Sequence, residues 1–402
     1  MASPRAPLLR PIHALFLTVF LDLLGFGMIL PILALYAKSF HVSDVAVTFL
    51  GASYSLMQFG FAPIWGRVSD RFGRRPVLLV SILGSCLSQL GYAIAPSFAG
   101  LLVARCVAGV CGANIAVAQA YMADTTDEKS RAAGMARLGI ALGLGFVFGP
   151  FFGGILGRHD PKLPFLIASG LALANLIFAA AVLREPTVRK AGTRTVTWAA
   201  LAETVSQPRL RVLIILFFVV TFGFANLEGT FPLYLERRFQ FGREQVGYVF
   251  GVVGVLMVIV QGGLVRPLVT RFGERRLVVA GTAIMALGMM LNYFGHSLTL
   301  LGASLVCVAV GNGINNPSLS SLLSRAAGSD RQGGVLGVAQ SFGALGRIFG
   351  PITGGYLLRF GEGTPYLSAG IILAVACGWA AVLVRQPESP TEAAPVAAKG
   401  NV

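Results

Sequence analysis

The chain has 402 residues, of which 55% are hydrophobic and only 12% are charged. Soluble globular domains carry about 25% charged residues, so this composition excludes an ordinary soluble protein. The net charge of +15 would suit a nucleic-acid-binding protein, but the placement of the basic residues, described below, argues against that class.

Apolar stretches of about 20 residues recur along the whole chain, and each is long enough to cross the roughly 30 Å hydrocarbon core of a bilayer as a helix. The sequence therefore predicts an all-α integral membrane protein with twelve transmembrane helices. In chain order the predicted helices are 11–37, 45–65, 76–95, 98–122, 133–157, 163–183, 211–235, 245–265, 277–294, 299–324, 333–357 and 364–384.

The basic residues predict the orientation of these helices. An even number of helices puts both termini on one side, which we assign to the cytoplasm. Roughly three quarters of the Lys and Arg residues then lie in cytoplasmic loops and termini, as the positive-inside rule requires. The excess positive charge orients the protein and contacts the lipid bilayer, so no nucleic-acid partner is expected. The predicted protein is therefore multi-pass, with both termini in the cytoplasm.

The second half of the chain repeats the first at a shift of about 200 residues. RFGRR at 71–75 aligns with RFGER at 271–275, and GFVFGPFFGG at 145–154 aligns with GRIFGPITGG at 346–355. We predict two six-helix bundles related by a pseudo-two-fold axis along the membrane normal, with a substrate site between them near the midplane. The predicted boundaries are 1–184 for the N-terminal bundle, 185–210 for a cytoplasmic linker, 211–388 for the C-terminal bundle and 389–402 for a disordered tail.

A dense charged segment, GRVSDRFGRRPVLL at 66–79, lies between predicted helices 2 and 3 on the cytoplasmic side. Arginines alone would serve as an orientation signal, but that does not explain the other residues placed among them. Gly66 would let two helices approach closely, Asp70 would lie against the positive N-terminus of another helix, and Gly73 would allow a sharp turn. In the second repeat Arg266 and Thr270 replace Gly66 and Asp70, which favours a functional role for the first copy.

The segment GLGFVFGPFFGG at 143–154, in predicted helix 5, combines a proline with several glycines. Proline kinks a helix because it removes a backbone hydrogen bond, and glycines let the kinked helix pack closely on its neighbour. We predict a tight packing seam here. Its residues are Gly145, Gly149, Pro150, Gly153 and Gly154.

Of the 17 acidic residues, only Asp22 and Glu228 are predicted to lie inside the bilayer. A charge at the bilayer centre costs about 2.5–3.5 kcal/mol, and a low dielectric favours the protonated carboxyl group, so such an acid can carry a proton. Arg105 and Arg347 are also predicted within helices. At a rise of about 1.5 Å per residue, Glu228 and Arg347 lie at similar depths, whereas Asp22 and Arg105 differ by about 10 Å. Structural ion pairs between helices are the alternative.

These segments resemble the major facilitator superfamily, and within it the twelve-helix drug:proton antiporters. The segment at 66–79 is similar to the superfamily's loop 2–3 motif. LDLLGFGMILPIL at 21–33 and the segment at 143–154 resemble the antiporter motifs of helices 1 and 5. The most similar family is the tetracycline-resistance exporters, which also share SDRFGRRPVLLVS and a loop similar to AYMADTTDEKSRA after helix 4.

The resemblance implies roles for the candidate residues. It implies a proton-coupling role for Asp22 and Arg105 and, more loosely, for Glu228, and a seam in helix 5 that favours exchange. It also implies a cytoplasmic latch between the two halves, formed by Gly66, Asp70, Arg71, Gly73, Arg74 and Arg75. Helices 1, 4, 7 and 10 line the cavity in this fold, and their candidate substrate contacts are Tyr36, Asn114, Gln119, Asn226, Asn312 and Asn316.

The sequence predicts no cofactor. No lysine follows a glycine, so a phosphate-binding Gly-Lys loop is missing and no ATP site is expected. The 5 cysteines show no metal-binding spacing. The energy for transport must therefore come from a gradient, or transport is merely facilitated.

We predict a proton-coupled antiporter, working as a monomer, that exports small amphipathic drugs across the inner membrane by alternating access. Its partners are then a small-molecule substrate and protons. A metabolite or sugar transporter of the same fold is the main alternative, and the helix-5 motif argues against symport. A receptor or scaffold would not need costly buried acids. The sequence shows no metal-ligand cluster or nucleophile–base pair, so an enzyme is not expected.

Overall fold

The computed structural model describes residues 11–112, 114–125, 128–186, 204–327 and 332–385, and the backbone alone is described at 11–12, 114–116, 123, 128–136, 332–333 and 382–385. Every regular element in these ranges is helical. In chain order the helices are α1 (Pro11–Lys38), α2 (Asp44–Phe72), α3 (Arg74–Ile94), α4 (Phe98–Cys111), α5 (Asn114–Thr125), α6 (Glu128–His159), α7 (Leu163–Val182), α8 (Pro208–Phe239), α9 (Arg243–Ile259), α10 (Val265–Phe272), α11 (Glu274–Phe294), α12 (Leu298–Ala327), α13 (Gln332–Leu357) and α14 (Thr364–Arg385). A π-helical turn, Val260–Leu264, joins α9 to α10, and a 3-10 turn, Leu358–Phe360, follows α13.

Within the described residues, 11 helical segments are long and apolar enough to cross a membrane, which confirms an all-α, multi-pass membrane protein. The predicted span 98–122 is the exception, because it forms two shorter helices, α4 and α5. Side chains of α2 hold carbonyl groups at the end of α4: Gln58 donates to the Gly112 oxygen at 2.7 Å and Trp65 to the Val110 oxygen at 2.5 Å. Carbonyls at a helix end need such outside partners.

The duplication is visible in the turns that follow α2 and α10. Gly73 has a φ of 115° and Gly273 a φ of 76°, a region that favours glycine because it has no Cβ. The Gly73 N–H donates to the Ser69 oxygen at 3.1 Å, and the Gly273 N–H to the Val269 oxygen at 2.9 Å. The sharp turn predicted at Gly73 is therefore present, and the second repeat has the same turn.

The chain divides into two compact units. The first contains the described residues of Met1–Gly192 together with Glu228–Val255, and the second those of Thr193–Leu227 together with Leu256–Val402. The predicted boundaries at 184, 210 and 388 stay predictions. Most of the predicted linker and all of the predicted tail lie outside the described residues.

The first unit is organised around α1 and α3. Helix α1 packs on α6 and α7, α3 packs on α4, α5 and α7, and α2 packs on α4. Buried side chains such as Leu15, Leu78, Tyr121 and Leu138 form its core. In the second unit α11 packs on both α12 and α14.

Candidate functional site

The charged segment at 66–79 forms the end of α2, a one-residue turn at Gly73 and the start of α3. Among the charged residues of this segment Arg74 is the buried one, at 4% exposure. Its guanidinium lies 2.6 Å from the Asp70 carboxylate and 3.1 Å from the Asp124 carboxylate, and it donates to the Ser69 hydroxyl at 2.6 Å. Arg74 thus ties the turn to the end of α5, and Asp124 is a partner that the sequence analysis missed.

A second acid, Glu185, holds the same turn from the other side. Its carboxylate accepts the backbone N–H of Arg74 at 2.7 Å and that of Arg75 at 2.9 Å. A negative charge at this place satisfies free N–H groups and favours the helix dipole of α3. A Cβ on Gly73 would lie 2.7 Å from the Glu185 carboxylate. Residue 185 begins the predicted linker, and no local pattern in the sequence indicates this contact.

The other latch residues have varied surroundings. Arg75 donates to the Ala180 oxygen of α7 at 2.6 Å, and the Arg71 side chain lies near the ring of Phe72. Within the described part of the first unit nothing lies within 4 Å of a Cβ placed on Gly66, so the close helix approach predicted there stays a prediction. The predicted contact of Asp70 with another helix N-terminus also stays a prediction.

The second unit contains a counterpart of the Arg74 pair with the charges exchanged. Glu274, at the start of α11, aligns with Arg74, and Arg325, near the end of α12, aligns with Asp124. The Arg325 guanidinium lies 3.2 Å from the Glu274 carboxylate, which also accepts the Ser321 hydroxyl at 2.6 Å. The second repeat has lost the residues aligned with Gly66 and Asp70, but it keeps an ion pair that anchors its turn.

Asp22 lies in the interior of the first unit, at 8% exposure. It lines a small cavity with Leu78 and Ile82 of α3 and Ala118 of α5. The neighbouring residue, Leu23, also lines this cavity and packs beside Gly145 of α6. The Asp22 side chain is therefore buried, and it lies between helices of the first unit.

Arg105 is also buried in the first unit, at 4% exposure. Its guanidinium carbon lies 4.8 Å from the ring centre of Tyr54 and 5.5 Å from that of Phe26. Aromatic faces stabilise a guanidinium at such distances by cation–π attraction. Phe26 stands one helical turn beyond Asp22, and the predicted difference in depth between Asp22 and Arg105 stays a prediction.

Glu228 is half-buried on α8 in the first unit. Arg347 lies on α13 in the second unit. Their pairing stays a prediction.

The glycines of predicted helix 5 lie on α6 and pack against α1. A Cβ on Gly145 would lie 2.6 Å from the Leu23 Cβ, one on Gly149 would lie 2.6 Å from the Gly27 Cα, and one on Gly153 would meet the Met28 backbone. Gly154 faces α9 instead, where a Cβ would lie 2.8 Å from the Gly247 Cα. Pro150 is buried within α6. The packing is as close as the sequence predicts, and its role in exchange stays a prediction.

The predicted substrate contacts differ in burial. Tyr36 is 5% exposed and packs against Phe40 and Phe165 at ring distances of 5.5 and 5.4 Å, which is a core environment. The Asn114 side chain lies outside the described residues, and Gln119 is exposed. In the second unit Asn226 and Asn312 are buried and Asn316 is exposed. All six stay candidate contacts.

Ion pairs also join helices of the first unit at the ends opposite the Gly73 turn. Asp44, at the start of α2, lies 2.8 Å from the Lys38 amine and 2.6 Å from the Arg237 guanidinium. Arg158, at the end of α6, lies 3.3 Å from the Glu244 carboxylate of α9.

Among the described residues no group of three or more His, Cys, Asp or Glu side chains could hold a metal ion.

The sequence matches the Major Facilitator Superfamily over residues 15–267 and 213–401. It is 35% identical to the tetracycline resistance protein, class C, of Escherichia coli, over 83% of this chain and 86% of that protein. It is 28% identical to multidrug resistance protein 2 of Bacillus subtilis, over 90% of this chain and 92% of that protein. The crystal structure of the human organic anion transporter MFSD10 (TETRAN) matches with a TM-score of 0.71 and 26% identity, over 92% of this chain and 98% of the other.

Proposed function

Because this chain belongs to the Major Facilitator Superfamily, we propose that it is a proton-coupled antiporter that exports small amphipathic drugs, of the tetracycline or multidrug type, across a bacterial inner membrane. The observation that carries the proposal is the burial of the Asp22 carboxyl group inside the first unit. Placing an acid inside the membrane costs free energy, and a role in carrying protons explains why an acid is present there. The tetracycline and multidrug relatives support the choice of substrate.

Three ionisable groups carry the proposed coupling. Asp22 and Glu228 bind protons delivered from the more acidic side and release them on the other side. The drug and those protons compete, because both bind the same conformational state of the transporter. Arg105, which lies against the adjacent rings of Phe26 and Tyr54, supplies a fixed positive charge that favours proton release, because a cation in a low-dielectric interior stabilises the carboxylate form.

Ion pairs at both ends of the first unit support alternating access. The Arg74 network lies at one end, and the Asp44 and Arg158 pairs lie at the other. In the proposed cycle the pairs at one end form as those at the other end break. The Asp44 and Arg158 pairs are partly exposed, and such pairs contribute only about 0–1 kcal/mol each, so they can form and break without a large barrier. The Arg74–Asp124 pair is buried, so separating its charges costs more.

Export of organic anions is a second candidate function. Arg105 is buried, and its Nε has no hydrogen-bond partner among the described residues. A buried guanidinium with an unused donor suits a substrate carboxylate. The similarity to a human organic anion transporter supports this candidate.

The test uses inside-out vesicles from cells that express the chain. The vesicles are energised to an acid interior and then receive tetracycline, a panel of lipophilic cations or a panel of organic anions, while the internal pH is recorded. We expect alkalinisation with tetracycline or cations, and its loss in Glu228→Gln. Glu236→Gln, which changes another acid of α8, is the matched control and should keep the response.

Three results would change the proposal. A response to organic anions alone would select the second candidate function. A response that survives in both Glu228→Gln and Asp22→Asn would remove the two acids from the coupling. No response to any compound, at normal membrane insertion, would refute drug export and turn the search to sugars and other metabolites.

A further inference from the structure

A small cavity lies beside Asp22 in the interior of the first unit. Thr18 and Asp22, one helical turn apart on α1, form its polar wall. The rest of its lining is apolar and consists of Val19, Leu23, Leu78, Ile82 and Ala118. Its volume is about 10 Å³, which is about what one water molecule needs. The cavity is therefore large enough for one small ligand and no more.

Thr18 has an unused hydroxyl at this cavity. The residue is 2% exposed, and its Oγ1 has no hydrogen-bond partner among the residues that the structure describes. A buried hydroxyl without a partner costs about 1–3 kcal/mol. Threonines in helices usually avoid this cost by donating to the carbonyl three or four residues earlier, as Thr48 and Thr282 do here. Thr18 does not, so its hydroxyl is available to a ligand in the cavity.

A contact from α7 fixes the turn that carries both polar groups. Asn175 is fully buried and donates from Nδ2 to the Thr18 carbonyl oxygen at 2.9 Å. In an α-helix the same carbonyl accepts the N–H of the residue four positions later, which here is Asp22. The Thr18 hydroxyl and the Asp22 carboxyl group are thus held in a fixed relation on one side of α1.

We infer that the cavity holds one water molecule, bound between the Thr18 hydroxyl and the Asp22 carboxyl group, and that this water passes protons to and from Asp22. The inference rests on the proposed function, since it assumes that Asp22 exchanges protons. The water acts as a relay: it takes one proton from the solvent side as it gives another to the carboxylate, and it is unchanged at the end. An entirely apolar cavity would stay dry, so water is the expected occupant because two polar groups line this one.

The test compares three substitutions around the cavity. Thr18→Val removes the hydroxyl at nearly constant shape, and Thr18→Ser keeps it. Ala118→Val fills the space and leaves both polar groups in the chain. Each variant is purified, checked for an unchanged melting temperature, and studied by infrared difference spectroscopy in D₂O between low and high pH. Asp22→Asn assigns the carboxyl band of Asp22.

We expect the wild-type spectrum to contain the O–D band of an internal water that changes together with the Asp22 band. Thr18→Val and Ala118→Val should both lose this water band, and Thr18→Ser should keep it. In vesicles the first two variants should exchange protons for drug at least about tenfold more slowly, the effect of losing roughly 1.4 kcal/mol in the transfer step, with unchanged drug binding.

The inference is wrong if the wild type shows no water band while Asp22 titrates, or if Thr18→Val and Ala118→Val both keep the band. It is equally wrong if exchange depends on Na⁺, because a cation would then occupy the cavity. The proposed function fails separately: if no drug drives proton exchange but both bands respond as expected, drug export is refuted and the water site stands.

Discussion

Removing the Glu185 carboxylate should loosen the turn at Gly73, because this side chain alone accepts both N–H groups that begin α3 at Arg74 and Arg75. Hydrogen bonds to a charged acceptor contribute about 1.5–3 kcal/mol each, and water replaces part of that contribution at a half-buried site. Glu185→Ala should therefore cost about 2–4 kcal/mol. Glu185→Gln keeps one acceptor oxygen and loses the charge at the helix N-terminus, which contributes about 0.3–1 kcal/mol, so it should cost about half as much.

The assay is thermal unfolding of the purified protein in detergent, together with drug transport in vesicles at matched expression. For a unit of this size we expect the melting temperature of Glu185→Ala to fall by roughly 4–16 °C and transport to fall with it. Asp160→Asn is the control, because Asp160 is an exposed acid just before α7, at the opposite end of that helix from Glu185. Asparagine keeps the oxygen that accepts the Lys162 N–H, so this variant should behave as the wild type. Equal melting temperatures for Glu185→Ala and the wild type would show that the carboxylate does not hold the turn.

The coupling between Glu185 and Gly73 can be measured in a double-mutant cycle. A methyl group on Gly73 meets the Glu185 carboxylate and also strains a backbone at a φ of 115°. In Glu185→Ala the first of these two costs disappears and the second remains. Gly73→Ala should thus be less harmful in the Glu185→Ala background than alone, and additive effects would refute the contact.

Three further predictions concern the other features of the site. Asp70→Asn should lower transport at near-normal membrane insertion, measured by uptake at matched expression, because Asp70 pairs with the buried arginine of the turn. Gly149→Ala should lower the melting temperature by the equivalent of about 1–3 kcal/mol, whereas Gly139→Ala on the same helix, where a Cβ meets nothing, should be neutral in the same assay. Glu274→Arg should destabilise the second unit because it faces Arg325, and adding Arg325→Glu should restore the melting temperature; failure of that rescue would mean that the ion pair has no role.

The helices could be predicted from the sequence, whereas many of the contacts between them could not. Each apolar stretch predicts its own helix, because a single helix satisfies all of its backbone groups within the bilayer. The turn at Gly73 was predictable for a similar reason, since its conformation depends on local residues. The break between α4 and α5 was not predictable, because side chains of Gln58 and Trp65 on another helix hold the freed carbonyls.

The site shows the same contrast. Hydropathy identifies Asp22 as a buried acid, but periodicity does not say which neighbours it faces, and only the structure places it against α3 and α5. Arg74 was a candidate from its motif, whereas its partner Asp124 and the acid Glu185 lie far along the chain. Contacts between residues so widely separated in the sequence depend on how whole helices pack, and no local sequence pattern encodes that packing.

The exchanged charges of the two anchoring pairs limit how far the halves of this protein are interchangeable. A chimera that carries α11 in place of α3 would set Glu274 against Asp124, two acids in a nearly dry site. The reverse graft would set Arg74 against Arg325. Each helix is thus matched to its own neighbour, and grafts that move α3 together with α5, or α11 together with α12, are the ones that keep opposite charges in contact. After the duplication both residues of an anchoring pair must have changed, because reversing the charge of one residue alone would have left two like charges in contact.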